Sequence, residues 1–296
     1  MYVITGATGN TGSEAAKALL RKGEKVRVLG RSAERMKELA AQGAEPFLCD
    51  VSDATTLATA FAGARAVYAM IPPNLAAPDA RAYQDRVSDA LAAALEKSGV
   101  KHVVSLSSIG ADKTEGNGPV AGLYILEHKL NRIPGLNVLH LRAGYFMENT
   151  LAQIGVIKSM GMLAGPLRGD LKLPMIATRD IGRFAAQALL KLDFSGQSTR
   201  ELLGQRDITM DEVAKVIGPA IGKSSLSYSK VPDMMLKPAL TSMGMSSDVA
   251  GRILEMSAAL NSGHMRALEP RSPANTTPTS FEAFVAEEFV PAYQKK

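Results

Sequence analysis

The sequence is poor in residues that crosslink a chain or bind a metal. Cys49 is its only cysteine, and its 296 residues include four histidines and no tryptophan. A single cysteine excludes an intramolecular disulfide, an all-cysteine zinc site and a CxxC redox pair. No spacing typical of metal ligands is present, so we expect no metal site.

Long apolar runs and blocks of one charge are also missing. No segment approaches the ~18 consecutive apolar residues that a membrane-spanning helix needs. Met1 leads almost directly into an apolar segment with no basic stretch before it, so we expect no secretory signal and a cytoplasmic protein. The net charge is only +5 and the basic residues are scattered, which argues against direct binding of nucleic acid.

The sequence does contain ample apolar material in an alternating pattern. Hydrophobic residues make up 46% of the chain and charged residues 21%, which excludes a disordered or collagen-like chain. Strand-like and helical segments alternate through residue 150, a pattern that implies parallel strands joined by right-handed crossovers. We therefore predict an α/β fold with a Rossmann-type, doubly wound parallel sheet over residues 1–150. The predicted strands are 2–5, 26–29, 45–48, 64–71, 100–106 and 137–141, with helices at 13–22, 33–42, 78–98 and 120–132.

Residues 151–296 are predicted to form a smaller, mostly helical subdomain that interleaves with the core and contacts a substrate or partner. Its predicted helices are 178–192, 211–221, 248–260 and 281–293, with an extended, proline-rich segment at 268–279. Thr209 and Glu212 have the spacing of a capping box. Eleven of the fourteen methionines lie from Met147 onward, and they could fill an irregular core or line a pocket for a flat, apolar substrate.

The main motif is Gly-Ala-Thr-Gly-Asn-Thr-Gly at residues 6–12, between the first strand and the first helix. Phosphates bind at helix N-termini because unpaired N–H groups and the helix dipole favour an anion there. Glycines allow the backbone to approach a pyrophosphate closely. The motif in this context predicts a dinucleotide site. The predicted contacts are Gly6, Thr8, Gly9, Asn10, Thr11 and Gly12.

The end of the second strand indicates which dinucleotide binds. An acidic residue there would accept the ribose 2′-OH of NAD, whereas an arginine accommodates the 2′-phosphate of NADP. This chain has Gly30-Arg31-Ser32, with Arg35 four residues after Arg31 and no acidic residue at the strand end. We predict NADPH rather than NADH as the preferred cofactor, with Arg31, Ser32 and Arg35 as contacts. The alternative is that Arg31 is an ordinary solvated side chain.

These motifs resemble the GATGxxG loop of extended and atypical short-chain dehydrogenases/reductases, and more narrowly the NmrA-like family. The resemblance covers about residues 1–190, and its most particular stretch is Leu-Arg-Ala-Gly-Tyr-Phe-Met-Glu-Asn at 141–149. Residues 28–31, 49–51, 103–110, 174–177 and 180–182 also carry it.

The resemblance implies further cofactor contacts just past the ends of other strands. Asp50 and Val51 would border the adenine. Met70, Ile71 and Pro72 would line the nicotinamide side, and Gly144, Tyr145 and Phe146 would close over the nicotinamide ring. Ligands of open α/β sheets bind at such positions.

The catalytic residues are less well defined. A typical short-chain dehydrogenase uses Tyr-x-x-x-Lys on a helix, but here Lys129 follows Tyr124 by five residues, which separates them by about 140° around the axis. His128 is the residue one turn from Tyr124, and Ser107 matches the position of the family's active-site serine. The resemblance implies that this group does without the Ser–Tyr–Lys triad. Tyr124, His128 and Ser107 are therefore candidate catalytic residues.

Two functions from different classes fit these observations. The first is a reductase that passes hydride from NADPH to a quinone or a similar small conjugated carbonyl compound. The second is a non-catalytic NADP sensor that acts through a protein partner. A nucleotide-sugar epimerase or dehydratase is disfavoured by the misplaced Tyr124–Lys129 pair. A homodimer is compatible with either function.

Overall fold

The computed structural model describes residues 1–295, and its centre is a seven-stranded parallel sheet. The predicted Rossmann-type α/β fold is confirmed. The strands along the chain are β1 (Tyr2–Ile4), β2 (Val26–Gly30), β3 (Glu45–Leu48), β4 (Ala66–Ala69), β5 (His102–Ser108), β6 (Asn137–Ala143), β7 (Tyr145–Phe146), β8 (Leu163–Gly165), β9 (Leu173–Ile176), β10 (Gln197–Leu202), β11 (Asp207–Ile208) and β12 (Tyr228–Lys230).

The helices occupy most of the remaining chain. They are α1 (Asn10–Leu20), α2 (Ala33–Ala41), α3 (Ala54–Phe61), α4 (Ala80–Ser98), α5 (Ala121–Asn131), α6 (Gln153–Met160), α7 (Thr178–Lys191), α8 (Met210–Ala220), α9 (Asp233–Ser242), α10 (Ser247–Ser262), α11 (Phe281–Phe284) and α12 (Val290–Gln294). Short 3₁₀ helices lie at Gly118–Val120 and Met147–Ala152, and a π-helical turn joins α11 to α12. Within residues 1–295, no helix combines the length and apolar character needed to cross a bilayer.

The strand order places a crevice above the middle of the sheet. The order is β10-β6-β5-β4-β1-β2-β3, so β1 lies between β2 and β4 and the direction of the winding reverses there. The carboxyl ends of parallel strands meet at one edge, and ligands bind at the point of reversal. The glycine-rich loop leaves β1 at this edge.

The two faces of the sheet are both covered, as its apolar strands require. Tyr2 and Ile4 of β1 face the layer that contains α1 and α7, whereas Val3 faces the layer that contains α3 and α4. Two small sheets lie outside the main one, in the orders β11-β9-β7 and β12-β8.

The chain returns to the nucleotide-binding layer after residue 150. Helix α7 packs along α1, and β10 pairs with β6. The predicted boundary at residue 150 therefore does not coincide with the edge of the sheet, and the two-domain division stays a prediction. The helices α3, α6 and α9 and the small sheets were not among the predicted elements.

The methionines of the C-terminal half lie in two different environments. Met147, Met175 and Met210 are buried in the C-terminal core beside the aromatic residues of α11. Met234 and Met235 are exposed instead. The core interpretation therefore accounts for only part of the set.

Gly182 controls how closely α7 approaches α1. A Cβ at this position would lie 2.5 Å from the Thr11 carbonyl oxygen. We expect Gly182→Ala to lower the free energy of unfolding by about 1–3 kcal/mol through overpacking. Gly155→Ala in α6 is the matched control, because its Cβ would meet nothing within 4 Å, and a helical alanine should be neutral or mildly stabilising. Urea unfolding of both variants tests this prediction. If Gly182→Ala were as stable as Gly155→Ala, the tight contact between α7 and α1 would be contradicted.

Candidate functional site

The glycine-rich loop is shaped by its own close contacts. Gly6 has a φ of +61°, and a Cβ there would lie 2.4 Å from the Met70 sulfur. A Cβ at Gly12 would lie 2.4 Å from the Gly6 carbonyl oxygen. Gly9 is different, because a Cβ there would meet only the Gly6 oxygen, at 3.4 Å, and Gly9 is exposed. Gly6 and Gly12 are therefore needed to form the loop, whereas the space beside Gly9 is open.

The first turn of α1 has no internal partner for its N–H groups. Its N-cap is Gly9, which has no side chain to accept them, and the first turn holds no acidic residue. The helices α3, α4, α8 and α10 are each capped by an aspartate, threonine or serine side chain, whereas α2, α5, α6 and α9 share with α1 the lack of such a bond. Uncapped N–H groups beside a glycine loop suit a phosphate. The buried Tyr68 hydroxyl donates to Thr11 Oγ1 at 3.0 Å and so ties this turn to β4.

The end of β2 and the first turn of α2 each present an arginine to solvent. Arg31 and Arg35 are both exposed, and neither forms an ion pair within residues 1–295. Glu34 is instead paired with Lys37 at 2.5 Å. Ser32 is the N-cap of α2 but makes no capping hydrogen bond through its side chain. This arrangement can receive a 2′-phosphate, since no carboxylate among the described residues pairs with Arg31 or Arg35, and the one carboxylate in the first turn of α2, Glu34, pairs with Lys37.

Asp50 and Val51 follow β3. Because β3 is parallel to β2, they lie at the same carboxyl edge of the sheet as Arg31. Hydrogen bonds from the backbone and hydroxyl of Ser52 hold the pKa of Asp50 below its usual range, and the charge of Arg31 adds to this. Asp50 is therefore a carboxylate at neutral pH, close to the proposed adenosine. Cys49 is buried, which raises the pKa of its thiol to about 11, so it is an inert thiol rather than a reactive one.

The segment after β4 is held by hydrogen bonds that the sequence did not indicate. The Met70 N–H donates to Thr5 Oγ1 at 3.0 Å, and the Tyr83 hydroxyl donates to the Pro72 carbonyl at 3.0 Å. Ile71 is buried between them. These bonds fix the backbone of residues 70–72 at the carboxyl edge of the sheet.

The segment after β6 leaves the main sheet at Gly144. The Gly144 N–H donates to the Leu202 carbonyl, and a Cβ at Gly144 would lie 2.3 Å from the Pro174 oxygen. Tyr145 and Phe146 then form β7, which pairs with β9. A glycine is thus required where the backbone turns out over the crevice.

Glu148 anchors this segment to α7. Its Oε1 accepts hydrogen bonds from the N–H (2.8 Å) and the hydroxyl of Thr178, the first residue of α7. Burial raises the pKa of Glu148. A cavity of about 310 Å³ lies here between the first turns of α1 and α7. No local sequence signal could show this cap, because its two partners are 30 residues apart.

Ser107 is not a free hydroxyl. It is buried and donates to Glu127 Oε1 at 2.6 Å. Arg142 Nε and Nη2 donate to the two oxygens of Glu127 at 3.0 and 2.6 Å. This buried, fully paired group joins β5, β6 and α5, and removing one charge of such a pair is costly. The structure thus gives Ser107 a partner that positions α5.

Tyr124 and His128 lie together on α5. Their ring centroids are 3.9 Å apart, and His128 Nδ1 is 2.9 Å from the Tyr124 carbonyl oxygen. Lys129 points elsewhere, since its Nζ is 2.5 Å from Asp89 on α4. The structure does not bring Tyr124 and Lys129 together, in agreement with their five-residue spacing. Glu127 is three residues from Tyr124, so the buried group also fixes the turn that carries this tyrosine.

Comparison with known proteins identifies a family and several similar proteins. A model of the NmrA-like family matches residues 2–285. The chain is 30% identical over 258 residues to NAD(P)H azoreductase from Xenophilus azovorans, and the aligned region covers 86% of each protein. Its structure is similar to Citrobacter triphenylmethane reductase complexed with NADP(H), with TM-score 0.78, 20% identity and coverage of 97% and 100% of the two chains. The Escherichia coli NADPH-dependent quinone oxidoreductase complexed with NADPH gives TM-score 0.76, 22% identity and coverage of 98% and 100%. At these identities, the two structures establish the fold alone.

The open space beside Gly9 gives a direct test of the phosphate site. We expect Gly9→Val to abolish NADPH binding, because its side chain would occupy the position of the pyrophosphate. The fold should lose only about 1 kcal/mol, the scale of a weakened N-cap. Calorimetry with NADPH and urea unfolding measure the two effects. Gly9→Ala is the graded control, and undiminished binding by Gly9→Val would mean that the phosphate does not bind at α1.

Proposed function

Since the chain belongs to the NmrA-like family, we propose that it is an NAD(P)H-dependent reductase that uses NADPH to reduce a quinone or a similar small conjugated acceptor. The observation that carries this proposal is the uncapped first turn of α1 together with two arginines, Arg31 at the end of β2 and Arg35 in the first turn of α2, that form no ion pair within residues 1–295. Together they suit the pyrophosphate and the 2′-phosphate of one NADP molecule.

NADPH would supply the hydride, and the protein would supply orientation and a dry site. The residues that fit the cofactor are Gly9 to Gly12 for the pyrophosphate, Arg31, Ser32 and Arg35 for the 2′-phosphate, and Asp50 and Val51 for the adenosine. Residues 70–72 and 144–146 would enclose the nicotinamide end. The backbones of these two segments are fixed by Thr5, Tyr83 and the neighbouring strands. The nicotinamide ring would therefore bind against a surface that is already formed.

The acceptor also needs a proton at the atom that becomes negatively charged. Tyr124 is half-buried on α5, and its ring is in contact with the exposed His128. We assign Tyr124 as the residue that holds the proton, with His128, whose Nδ1 faces the Tyr124 carbonyl oxygen at 2.9 Å, packed against its ring. Ser107 supports this arrangement indirectly, because its bond to Glu127 holds α5 in place.

The names of the relatives favour a flat, conjugated acceptor. One reduces azo compounds, one quinones and one triphenylmethane dyes. All three substrate classes are extended conjugated systems that accept a hydride without a strong acid. A site without a Tyr–Lys pair suits such acceptors.

One observation favours the non-catalytic alternative, an NADP sensor with a protein partner. Ser107 is bonded to Glu127 and Lys129 to Asp89, so neither of the usual helpers of the tyrosine is available. A sensor would bind NADPH tightly and oxidise none of it. The same contacts disfavour a nucleotide-sugar epimerase.

Turnover separates these functions. We expect the protein to oxidise NADPH in the presence of at least one member of a panel of naphthoquinones and azo dyes. If Tyr124 holds the proton, Tyr124→Phe should lower kcat by about 100-fold and leave the KM for NADPH unchanged. Lys129→Met is the control and should keep its kcat, because Lys129 is bound to α4. Tight NADPH binding without turnover would instead support the sensor.

The cofactor preference depends on Arg31. We expect Arg31→Asp to weaken NADPH binding by about 1.5–3 kcal/mol, the size of a hydrogen bond to a charged group, and to change NADH binding much less. Calorimetry with both cofactors measures this difference. Arg266→Asp, an exposed arginine after α10, is the matched control for net charge. If Arg31→Asp weakened the binding of NADPH and NADH equally, the 2′-phosphate would not bind at Arg31.

A further inference from the structure

The N-terminal end of α10 is attached to the chain that leaves β4. Asp248 Oδ2 accepts a hydrogen bond from the Ala80 N–H, the first residue of α4, at 2.8 Å. The Ser246 N–H, just before α10, donates to the Leu75 carbonyl at 2.9 Å. Residues 70–80 join β4 to α4, so two separate bonds connect this segment to the C-terminal half of the chain.

The middle of α10 packs against the 3₁₀ helix at Gly118–Val120, which leads directly into α5. Gly118 has a φ of +59°, and a Cβ there would lie 2.1 Å from the Arg252 carbonyl oxygen. Val120 is buried in the same apolar cluster as Ala259 of α10. A glycine is therefore required at position 118, where α10 lies against the chain that precedes α5.

Helix α4 contacts the same 3₁₀ helix. The Gln84 Nε2 donates to the Pro119 carbonyl at 2.8 Å, and a Cβ at Gly122 would lie 2.3 Å from the Gln84 Oε1. Thus α4 binds α10 through Ala80 and the 3₁₀ helix through Gln84, while the 3₁₀ helix contacts α10 at Gly118. We refer to these contacts as the three-helix junction. Each pair of the three elements is in direct contact, so a shift of one disturbs its contacts with both others.

The three-helix junction lies between two parts of the proposed active site. On α4, the Tyr83 hydroxyl donates to the Pro72 carbonyl at 3.0 Å, which holds the segment proposed to line the nicotinamide. On α5, Tyr124 follows Val120 by four residues, or about one helical turn. A shift of the 3₁₀ helix would therefore carry Tyr124 with it. In the proposed reaction, the acceptor would receive the hydride from the nicotinamide and the proton from Tyr124.

Asp248 supplies the charged group of this junction. Besides the Ala80 N–H, its Oδ2 accepts from the Arg252 Nε at 2.9 Å. These two hydrogen bonds hold the pKa of Asp248 below its usual range, so it is a carboxylate at neutral pH. A negative charge is favourable at the N-terminus of a helix, here that of α4. One carboxylate oxygen thus joins the start of α4 to the residue of α10 whose carbonyl lies over Gly118.

We propose that the three-helix junction sets the distance between the nicotinamide and Tyr124, and that Asp248 is its main positioning residue. The proposal rests on the proposed reductase function and gives α10 a role in the reaction itself. Reaction rates depend steeply on how closely the reacting groups are held in place. The proposed phosphate contacts lie on α1 and α2, so a change at the junction should affect the reaction more than the cofactor affinity.

A double-mutant cycle with Tyr124 tests this role. Asp248→Ala removes the acceptor of the Ala80 N–H, and we expect it to lower kcat with menadione or methyl red by about tenfold, with the KM for NADPH unchanged. In a Tyr124→Phe background, the same change should lower kcat by less than about twofold, because residue 124 no longer supplies the proton. A loss of packing alone would lower kcat by the same factor in both backgrounds.

Further variants exclude a general loss of stability. Asp248→Asn keeps an oxygen that can accept the Ala80 N–H and should recover most of the lost kcat. Gln84→Met breaks the junction at another contact and should reproduce the pattern of Asp248→Ala. Thr209→Ala is the matched control, because it removes the side-chain cap of α8 in the same half of the chain. We expect it to lower the urea midpoint by a similar amount and to leave kcat unchanged.

The other outcomes separate the positioning role from the function. If folded Asp248→Ala and Gln84→Met kept the kcat of the wild-type protein, or lost the same factor with and without Tyr124, the positioning role would be overturned and the reductase would stand. The same holds if Tyr124→Phe itself kept full kcat. Failure of the wild-type protein to reduce any acceptor would overturn the reductase, and the positioning role with it.

Discussion

The close approach of three backbones around the start of α1 is the constraint on which the rest of the site depends. Gly12 lets the helix lie against the loop at Gly6, and Gly182 lets α7 lie against Thr11. A Cβ at either glycine would lie within 2.5 Å of a backbone oxygen, so the helix would have to shift. Because α1 is fixed from both sides, its free N–H groups point to one place. The crevice above β1 and β4 then has the form that the proposed dinucleotide requires.

The parts of the fold that follow from local signals were predictable from the sequence. Apolar runs predicted six of the seven strands of the main sheet, β1 to β6, and glycines predicted the loop and several helix ends. Helix α3 was missed although Asp53 has the spacing of an N-cap and accepts from Thr55 and Thr56. Strand β10 could not be recognised, because Gln197–Leu202 is mostly polar and becomes a strand only by pairing with β6.

In the candidate site, too, the features with a local sequence signal were predictable and the contacts between distant residues were not. The five-residue spacing correctly separated Tyr124 from Lys129, since helix geometry depends only on neighbours along the chain. The role of Ser107 was not readable, because its partner Glu127 is 20 residues away and buried with it. The bond of Glu148 to Thr178 was hidden for the same reason. Contacts between distant segments decide which hydroxyls and carboxylates are available for chemistry, and local sequence patterns do not reveal those contacts.

The outer strand β3 has a consequence for how copies of the protein meet. Its partner on one side is β2, and the Cys49 N–H donates to the Gly30 carbonyl. Successive N–H groups of a strand point to opposite sides, so the nitrogen of Pro46 faces outward, where it has no hydrogen to donate. A charged Glu45 precedes it. An incoming strand would find an interrupted ladder at this border, which protects the sheet against edge-to-edge aggregation.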